Sequence, residues 1–398
     1  MKKIVLTALS GVPADYSGGP NKVIYQILNN IDTSKFKSYY LSKNAFIEKN
    51  NYVLSDKNIS LFKDKLTINL FNRSEYYRKI FTSSPYLKYF FRKSIQKISS
   101  ELHNQMWDII HSHDVRSLFG LKEKKSKIIL SIHSKGSIVN DMIQLYGNRN
   151  SLSNIYKEFR LKEIQSLLIS DFITFPSLAA RDLFFDDIKN YSFYDKVKII
   201  YNGIDLEKIN KIELDKNFFS NWAWVNKYEY RILTVGNHIK AKNIDKIITV
   251  LSLLHKMKNG KYFLICVGAG PLTNELKKLA HNLNVSNYVL FVDFLPNEDV
   301  LKLMKYCNIY LSLSERVIFD LVILEALACG MNVFTSNDGG NKEIINNSNG
   351  CLINSKNLED VAEIIVNSKL DYREPAIDSV KKFSILSTVN NYFELYEN

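Results

Sequence analysis

Cysteine is scarce in this chain, with 4 in 398 residues. Cys266, Cys307, Cys329 and Cys351 form no Cys-x-x-Cys pair, and no histidine cluster stands near them at metal-ligand spacing. That excludes a disulfide framework and a zinc knuckle. The four read as buried free thiols of a reducing cytoplasm. No apolar run approaches the ~18 residues needed to span a bilayer. The N-terminus MKKIVLTALSGVPA has two lysines and a short apolar stretch, Ile4–Leu9. That stretch is at the short limit of a signal-peptide core, roughly 7–15 residues, and is rich in β-branched side chains, so it reads as a first buried strand. Short internal repeats, low-complexity tracts and nucleic-acid-binding motifs are missing, so no nucleic-acid partner is expected. No acidic pattern such as Asp-x-Asp occurs in a suitable context, so neither a metal nor another cofactor is expected.

What is present is an ordinary globular composition, 46% hydrophobic and 24% charged. At roughly 100–200 residues per domain, the length suggests two domains. The formal net charge of +12 favours anionic partners such as phosphorylated ligands or anionic lipid surfaces. Residues 61–100 concentrate this charge: Lys63, Lys65, Arg73, Arg78, Lys79, Lys88, Arg92, Lys93 and Lys97 stand against Asp64 and Glu75, with aromatic residues between them. Ser84-Pro85 is a good helix start. The helix would align Leu87, Phe91, Ile95, Ile98 and Leu102 on one side. Such a segment is either an amphipathic helix packed on its own sheet or a peripheral contact with an anionic membrane.

Short apolar strands alternate with amphipathic stretches, which argues for βαβ units and parallel sheets. The first set comprises Lys3–Leu9, Ser38–Leu41, Ile109–His111, Ile128–His133, Phe172–Phe175 and Val197–Tyr201, with helical periodicity over Asn21–Asn30. The alternation restarts after residue 230. Strands Arg231–Val235, Tyr262–Val267, Val289–Asp293, Ile309–Leu313 and Asn332–Thr335 are separated by helices Lys242–Lys256, Leu272–Leu283, Pro296–Tyr306 and Asp320–Cys329. The expectation is an α/β protein of two doubly wound, Rossmann-like domains, 1–205 and 206–375, followed by a C-terminal helix within 376–398 that packs back toward the first domain.

Three stretches carry candidate chemistry. Ser17-Gly18-Gly19-Pro20 follows the first strand and opens a helix, where backbone amides can hold an anion, and a plain loop fits the residues equally well. Val267-Gly-Ala-Gly-Pro-Leu272 is half of a dinucleotide fingerprint, but Thr273 replaces the third glycine and Pro271 intrudes, so a tight strand-to-helix turn is the plainer reading. Leu311–Gly340, LSLSERVIFDLVILEALACGMNVFTSNDGG, runs from a strand into a helix whose N-terminus offers amides and a partial positive charge. Glu325 is a lone charge inside the apolar run of that helix.

This last stretch resembles the signature of the retaining glycosyltransferases of family 4, which have the GT-B fold: Ser-x-x-Glu-x-Phe-Gly-Leu-x-x-x-Glu-Ala, then a glycine and a later Gly-Gly. Ser314, Phe319, Leu321, Glu325, Ala326, Gly330, Gly339 and Gly340 fit it. Leu233–Gly236 with Lys242, Tyr201–Asp205, Val267–Leu272, Asp108–His113, Ser131–His133 and Gly18-Gly19 are similar to further family motifs in the same order. The resemblance spans nearly the whole chain. It implies the GT-B arrangement, with the two domains facing across a cleft, an acceptor-binding first domain and a nucleotide-sugar-binding second. It implies that Glu325 holds the donor ribose, and that Lys242 binds the diphosphate with the amides at Asp320 and Leu321, beside Gly236, Asn237 and Phe319. It also implies that His133 faces the donor sugar and that Gly18 and Gly19 line the phosphate and acceptor side. His133 and Lys242 would be the catalytic pair.

Three positions depart from the family. Val317 stands where the first Glu belongs, Glu315 comes two residues early, Asp320 replaces a glycine, and Asn237 replaces an arginine. Donor handling is therefore expected to be altered. The function implied is metal-independent, hexosyl-type transfer from a nucleotide sugar to a glycan or lipid-linked acceptor with retention, in bacterial surface polysaccharide or glycoconjugate synthesis. The alternatives are a catalytically inactive partner protein and a nucleotide-sugar epimerase.

Overall fold

The computed structural model describes residues 1–9, 13, 20–43, 45–49, 84–121, 125–146, 152–214, 223–258 and 260–398. The chain divides into two compact units: residues 1–200 with 389–398, and residues 201–388. The first unit holds a seven-stranded sheet in the order β3-β2-β1-β4-β5-β6-β7. Its strands are β1 (Lys2–Thr7), β2 (Phe36–Leu41), β3 (Phe46–Glu48), β4 (Ile109–Ser112), β5 (Lys127–Ser131), β6 (Phe172–Phe175) and β7 (Val197–Ile199). All pair in parallel except β3, which runs antiparallel to β2 at the edge. Ile4, Val5 and Leu6 are all fully buried. Both faces of the strand are thus covered, and this is why it reads as a continuous apolar run rather than an alternation. Two α/β units on the doubly wound plan are therefore present, as expected.

The second unit holds a six-stranded sheet in the order β10-β9-β8-β11-β12-β13. Its strands are β8 (Tyr230–Val235), β9 (Tyr262–Val267), β10 (Val289–Val292), β11 (Ile309–Ser312), β12 (Asn332–Ser336) and β13 (Cys351–Ile353). Leu233, Phe263, Tyr310 and Val333 face one apolar cluster, with Ile323, Leu324 and Leu327 of the Leu321–Ala328 helix. Ile232, Leu264, Leu311 and Phe334 face the other, with Ile248 and Leu251 of the Ile244–Met257 helix. In each sheet the strand order reverses beside a central strand, β1 with β4 in the first and β8 with β11 in the second. Ligands of open α/β sheets bind outside the carboxyl ends of the strands at such a reversal.

Some boundaries differ from the sequence expectation for physical reasons. The helix anticipated from Lys242 begins at Ile244, because Asn243 takes a left-handed conformation (φ 48°) and closes a separate 3-10 turn, Lys240–Lys242. The final helix is Ile385–Glu397, preceded by a 3-10 turn over Lys381–Phe383. Its residues to Thr388 belong to the second unit, and those from Val389 belong to the first. In the first unit, Tyr396 Oη lies 2.6 Å from His111 Nδ1, while Tyr392 Oη lies 3.3 Å from Ser131 Oγ. Most of the basic, aromatic stretch at 61–100 lies outside the described residues. Its helix runs over Ser84–Asn104, with Ile95, Ile98 and Leu102 buried and Arg92, Lys93 and Lys97 exposed.

Candidate functional site

In the second unit, two loops leave the carboxyl ends of β8 and β11. The first begins at Gly236, whose φ is +157°. A Cβ there would sit 3.3 Å from Lys242 Cε, so the lysine stem lies along the glycine backbone. The loop is tied to its neighbour where the Glu315 amide donates to the Ala241 carbonyl (2.9 Å) and Asn243 Nδ2 donates to the Leu313 carbonyl (2.8 Å).

The second loop, Leu313–Asp320, leads into the Leu321–Ala328 helix. It rests on Gly339 and Gly340. A Cβ on Gly339 would come within 1.9 Å of the Val317 carbonyl oxygen, and one on Gly340 within 2.0 Å of that of Ile318. Asp338 Oδ1 accepts from the Val317 amide (2.8 Å). Val317, standing where the family has its first Glu, is itself buried, and this backbone contact anchors it. Glu315 accepts from Asn243 Nδ2 (2.9 Å) and Lys246 Nζ (3.1 Å), which hold its carboxyl below the usual range. Phe319 directly precedes the cap of the helix. Its ring packs inward against Tyr201 (centroids 5.4 Å apart) and Phe383 (5.6 Å), so it is a core residue and only its backbone borders the helix start.

Asp320 caps the helix that it opens. Its Oδ1 accepts from the Val322 amide (3.1 Å) as a side-chain cap, and its Oδ2 lies 3.7 Å from Lys242 Nζ. One carboxylate thus sits on both positive features of the site. Glu325 is 7% exposed, and its Oε1 accepts from Asn297 Nδ2 (3.2 Å). Both carboxyls act on the buried Tyr310. Burial pushes its phenol well above the ordinary value, and the carboxyls of Asp320 and Glu325 push it the same way. Gly236, Lys242, Asp320 and Glu325 therefore assemble at the switch point of one sheet, with Leu321 opening the helix. Asn237 is exposed in the same loop. Asn297, Tyr310 and Asp338 were not anticipated; each meets its partner only through the tertiary fold.

His133 belongs to the first unit, just beyond β5. Its Nε2 lies 3.0 Å from His113 Nδ1 with the rings stacked, and His113 lies in turn 4.1 Å from His111, centroid to centroid. Burial lowers His133 to about 4, against the opposing pull of Asp114, and His111 to about 3, with His133 adding to the effect. Burial and both neighbouring histidines push His113 well below its usual value. All three are neutral at pH 7. Asp114 is fully engaged: it caps the Val115–Leu118 turn and grips Arg116 through Nε (2.8 Å) and a second nitrogen (2.6 Å). His113, His133, Asp114 and Arg116 line a cavity of about 180 Å³ together with Asp141 and Glu163. Burial raises Glu163 to about 7, although the Ile138 amide (2.8 Å) and Arg160 (2.9 Å) favour its charged form. Gly18 and Gly19 lie outside the described residues. Among the described residues no group of three or more His, Cys, Asp or Glu is placed to hold a metal, and no helix is long and apolar enough to cross a membrane.

Two family models match the chain: Glycosyltransferase Family 4 over residues 62–208, and Glycosyl transferases group 1 over residues 218–375. An uncharacterised glycosyltransferase of Methanocaldococcus jannaschii is 32% identical over 202 residues, which is 47% of this chain and 49% of that protein. The chain thus matches about half the length of that relative. The alpha-monoglucosyldiacylglycerol synthase of Streptococcus pneumoniae is 26% identical over 41% of this chain and 36% of its own. Anabaena HepE, solved in complex with UDP, superposes over 100% of both chains with a TM-score of 0.69 at 16% identity. With each half matched by its own model and the fold shared end to end, this chain belongs to the group 1 and family 4 glycosyltransferases and carries their GT-B fold.

Proposed function

We propose that the second unit binds a nucleotide-sugar donor and that the chain transfers its sugar, with retention, to a hydroxyl of a glycan or lipid-linked acceptor. One observation carries the reading. A lysine and the N-terminus of a helix converge at the switch point of the sheet, with the buried carboxylate of Glu325 further along the same helix. The structural relative crystallised with UDP supports the donor class.

The hard step is departure of a nucleoside diphosphate from the anomeric carbon. Lys242 and the amides opening the helix at Leu321 would stabilise the charge growing on that leaving group. Donors fixed in advance are worth most there, because they need no reorganisation during the step. Glu325 would accept hydrogen bonds from the ribose hydroxyls. The acceptor oxygen would attack the face that the diphosphate leaves and pass its proton to the departing phosphate. His133, neutral at pH 7, would act as a hydrogen-bonding group rather than as a cation. Charge stabilisation would fall on protein groups, with no step assigned to a metal. The glycolipid-synthesising relative supports a lipid-linked acceptor, and bacterial surface glycoconjugates are the class we propose.

The diphosphate must displace Asp320 from Lys242. That contact also supports a second reading, a non-catalytic homologue whose pocket is closed by its own carboxylate. Sugar release from a panel of UDP-, GDP- and ADP-sugars decides between them. Turnover by the native chain that falls at least tenfold in Lys242→Ala, roughly 1.4 kcal/mol in barrier, is the expected outcome. Equal turnover in the two proteins removes Lys242 from the mechanism. No turnover with any donor, alongside retained UDP binding, favours the non-catalytic reading.

A further inference from the structure

We infer that His238 is the positioning residue for Lys242, and that the Gly268–Thr273 turn is the seat on which the lysine loop is bolted rather than a phosphate cradle. The inference rests on the proposed role of Lys242.

The seat is built from backbone first. The Gly236 amide donates to the Val267 carbonyl (2.9 Å), the His238 amide to that of Ala269 (3.2 Å), and the Leu272 amide to that of His238 (3.1 Å). The two segments approach too closely for side chains between them. A Cβ on Gly268 would stand 2.1 Å from the Gly236 oxygen, and one on Gly270 would stand 2.6 Å from the His238 oxygen. The glycines singled out as half of a dinucleotide fingerprint thus serve contact with the neighbouring loop.

The side chain of His238 completes the attachment. Thr273 Oγ1 donates to the Gly270 carbonyl (2.8 Å) and accepts from the Gly270 amide (2.9 Å). A hydroxyl has one proton, so its remaining contact, with His238 Nδ1 at 2.8 Å, must be accepted from the imidazole. The proton therefore sits on Nδ1 and Nε2 is bare. Nε2 is buried with no hydrogen-bond partner, which is tolerable for a lone pair and costly for an N–H. Burial keeps the ring neutral and Lys277 acts in the same direction, while Asp293 opposes them; Phe291 packs edge-on at 6.1 Å. A neutral imidazole in one tautomer thus clamps the loop four residues before Lys242. Between clamp and lysine the Lys242 amide donates to the Ile239 carbonyl (3.0 Å), leaving little slack.

The test compares the full-length chain with His238→Leu, His238→Asn and Thr273→Val. Asparagine keeps an N–H donor near the Nδ1 position; leucine and the valine at 273 abolish the side-chain bond. Two readouts are used: UDP affinity by calorimetry, and the rate at which an acylating reagent labels the Lys242 amine, followed by peptide mass spectrometry. His238→Leu and Thr273→Val should each weaken UDP binding about fivefold or more and change Lys242 labelling by at least about threefold. The double variant should be no worse than the singles, because both remove one interaction. His238→Asn should restore both readouts to within about twofold. If His238→Leu fails to fold, Thr273→Val alone decides. Unaltered affinity and labelling in a folded variant overturn the inference. If the native protein binds no UDP, the proposed function fails, and the labelling rates still report whether His238 aims Lys242.

Discussion

Asp320 holds Lys242 and the Val322 amide at once, and the two contacts respond differently to substitution. Asparagine caps a helix about as well as aspartate but carries no charge. Asp320→Asn should therefore keep the thermal midpoint nearly unchanged and tighten UDP binding about threefold or more, since the ligand no longer competes with a carboxylate. Weaker binding in titration calorimetry would show instead that the carboxylate helps the ligand. Glu163 offers a second residue-level test. Its folded value of about 7 stands above the ordinary 4.5. Its contribution to stability is thus complete below pH 4.5 and is lost as pH rises through about 7. The advantage of the native protein over Glu163→Gln should shrink across that window by on the order of 3 kcal/mol. Denaturant melts at pH 4.5 and pH 8 check this, and a constant difference would contradict it. At this scale the sequence was partly legible. A charged residue in the apolar run Leu321–Cys329 flagged Glu325. Nothing local flagged Asn297 or Asp338, which reach their partners across 28 and 21 positions.

Among elements, the Gly339–Gly340 turn bears most directly on the site, because it supports the loop that becomes the Leu321–Ala328 helix. Gly339 has φ +48°, and a Cβ there meets the Val317 oxygen at 1.9 Å. Gly339→Ala should cost at least about 2 kcal/mol and lower the midpoint of thermal unfolding by about 4–8 °C. An unshifted midpoint would show that the turn yields without strain. The long strands were readable because burial on both faces leaves uninterrupted β-branched and aromatic runs, and Tyr262–Val267 and Phe172–Phe175 match residue for residue. Two of the three-residue strands, Phe46–Glu48 and Cys351–Ile353, were not. So short a segment has no period of its own and exists by pairing with a neighbour. The turn at Lys240–Lys242 was missed for a related reason. Asn243 reads as a tolerable helical residue, and only the pull of Leu313 and Glu315 on its side chain holds it left-handed.

For the whole molecule, composition and alternation conveyed two α/β units, and ordered motifs conveyed the family. They also suggested a C-terminal helix packing back toward the first domain, but not which of its side chains would do so. Its Tyr396 and Tyr392 enter the first unit's polar interior, where Ser131 Oγ also lies 2.8 Å from His111 Nε2 and 2.6 Å from Thr174 Oγ1. Tyr396→Phe strips His111 Nδ1 of its partner and should cost about 1–3 kcal/mol. The loss should fall on the first unit alone. Hydrogen exchange should quicken in Ile109–Ser112 and remain unchanged in Tyr262–Val267, and equal change in both would refute it. That same bond joins residues 285 positions apart, which sets an order of events during synthesis. A ribosome emits the first two hundred residues long before it emits the tyrosines that plug them. Until they emerge, His111 Nδ1 has to do without the phenol that satisfies it in the finished fold.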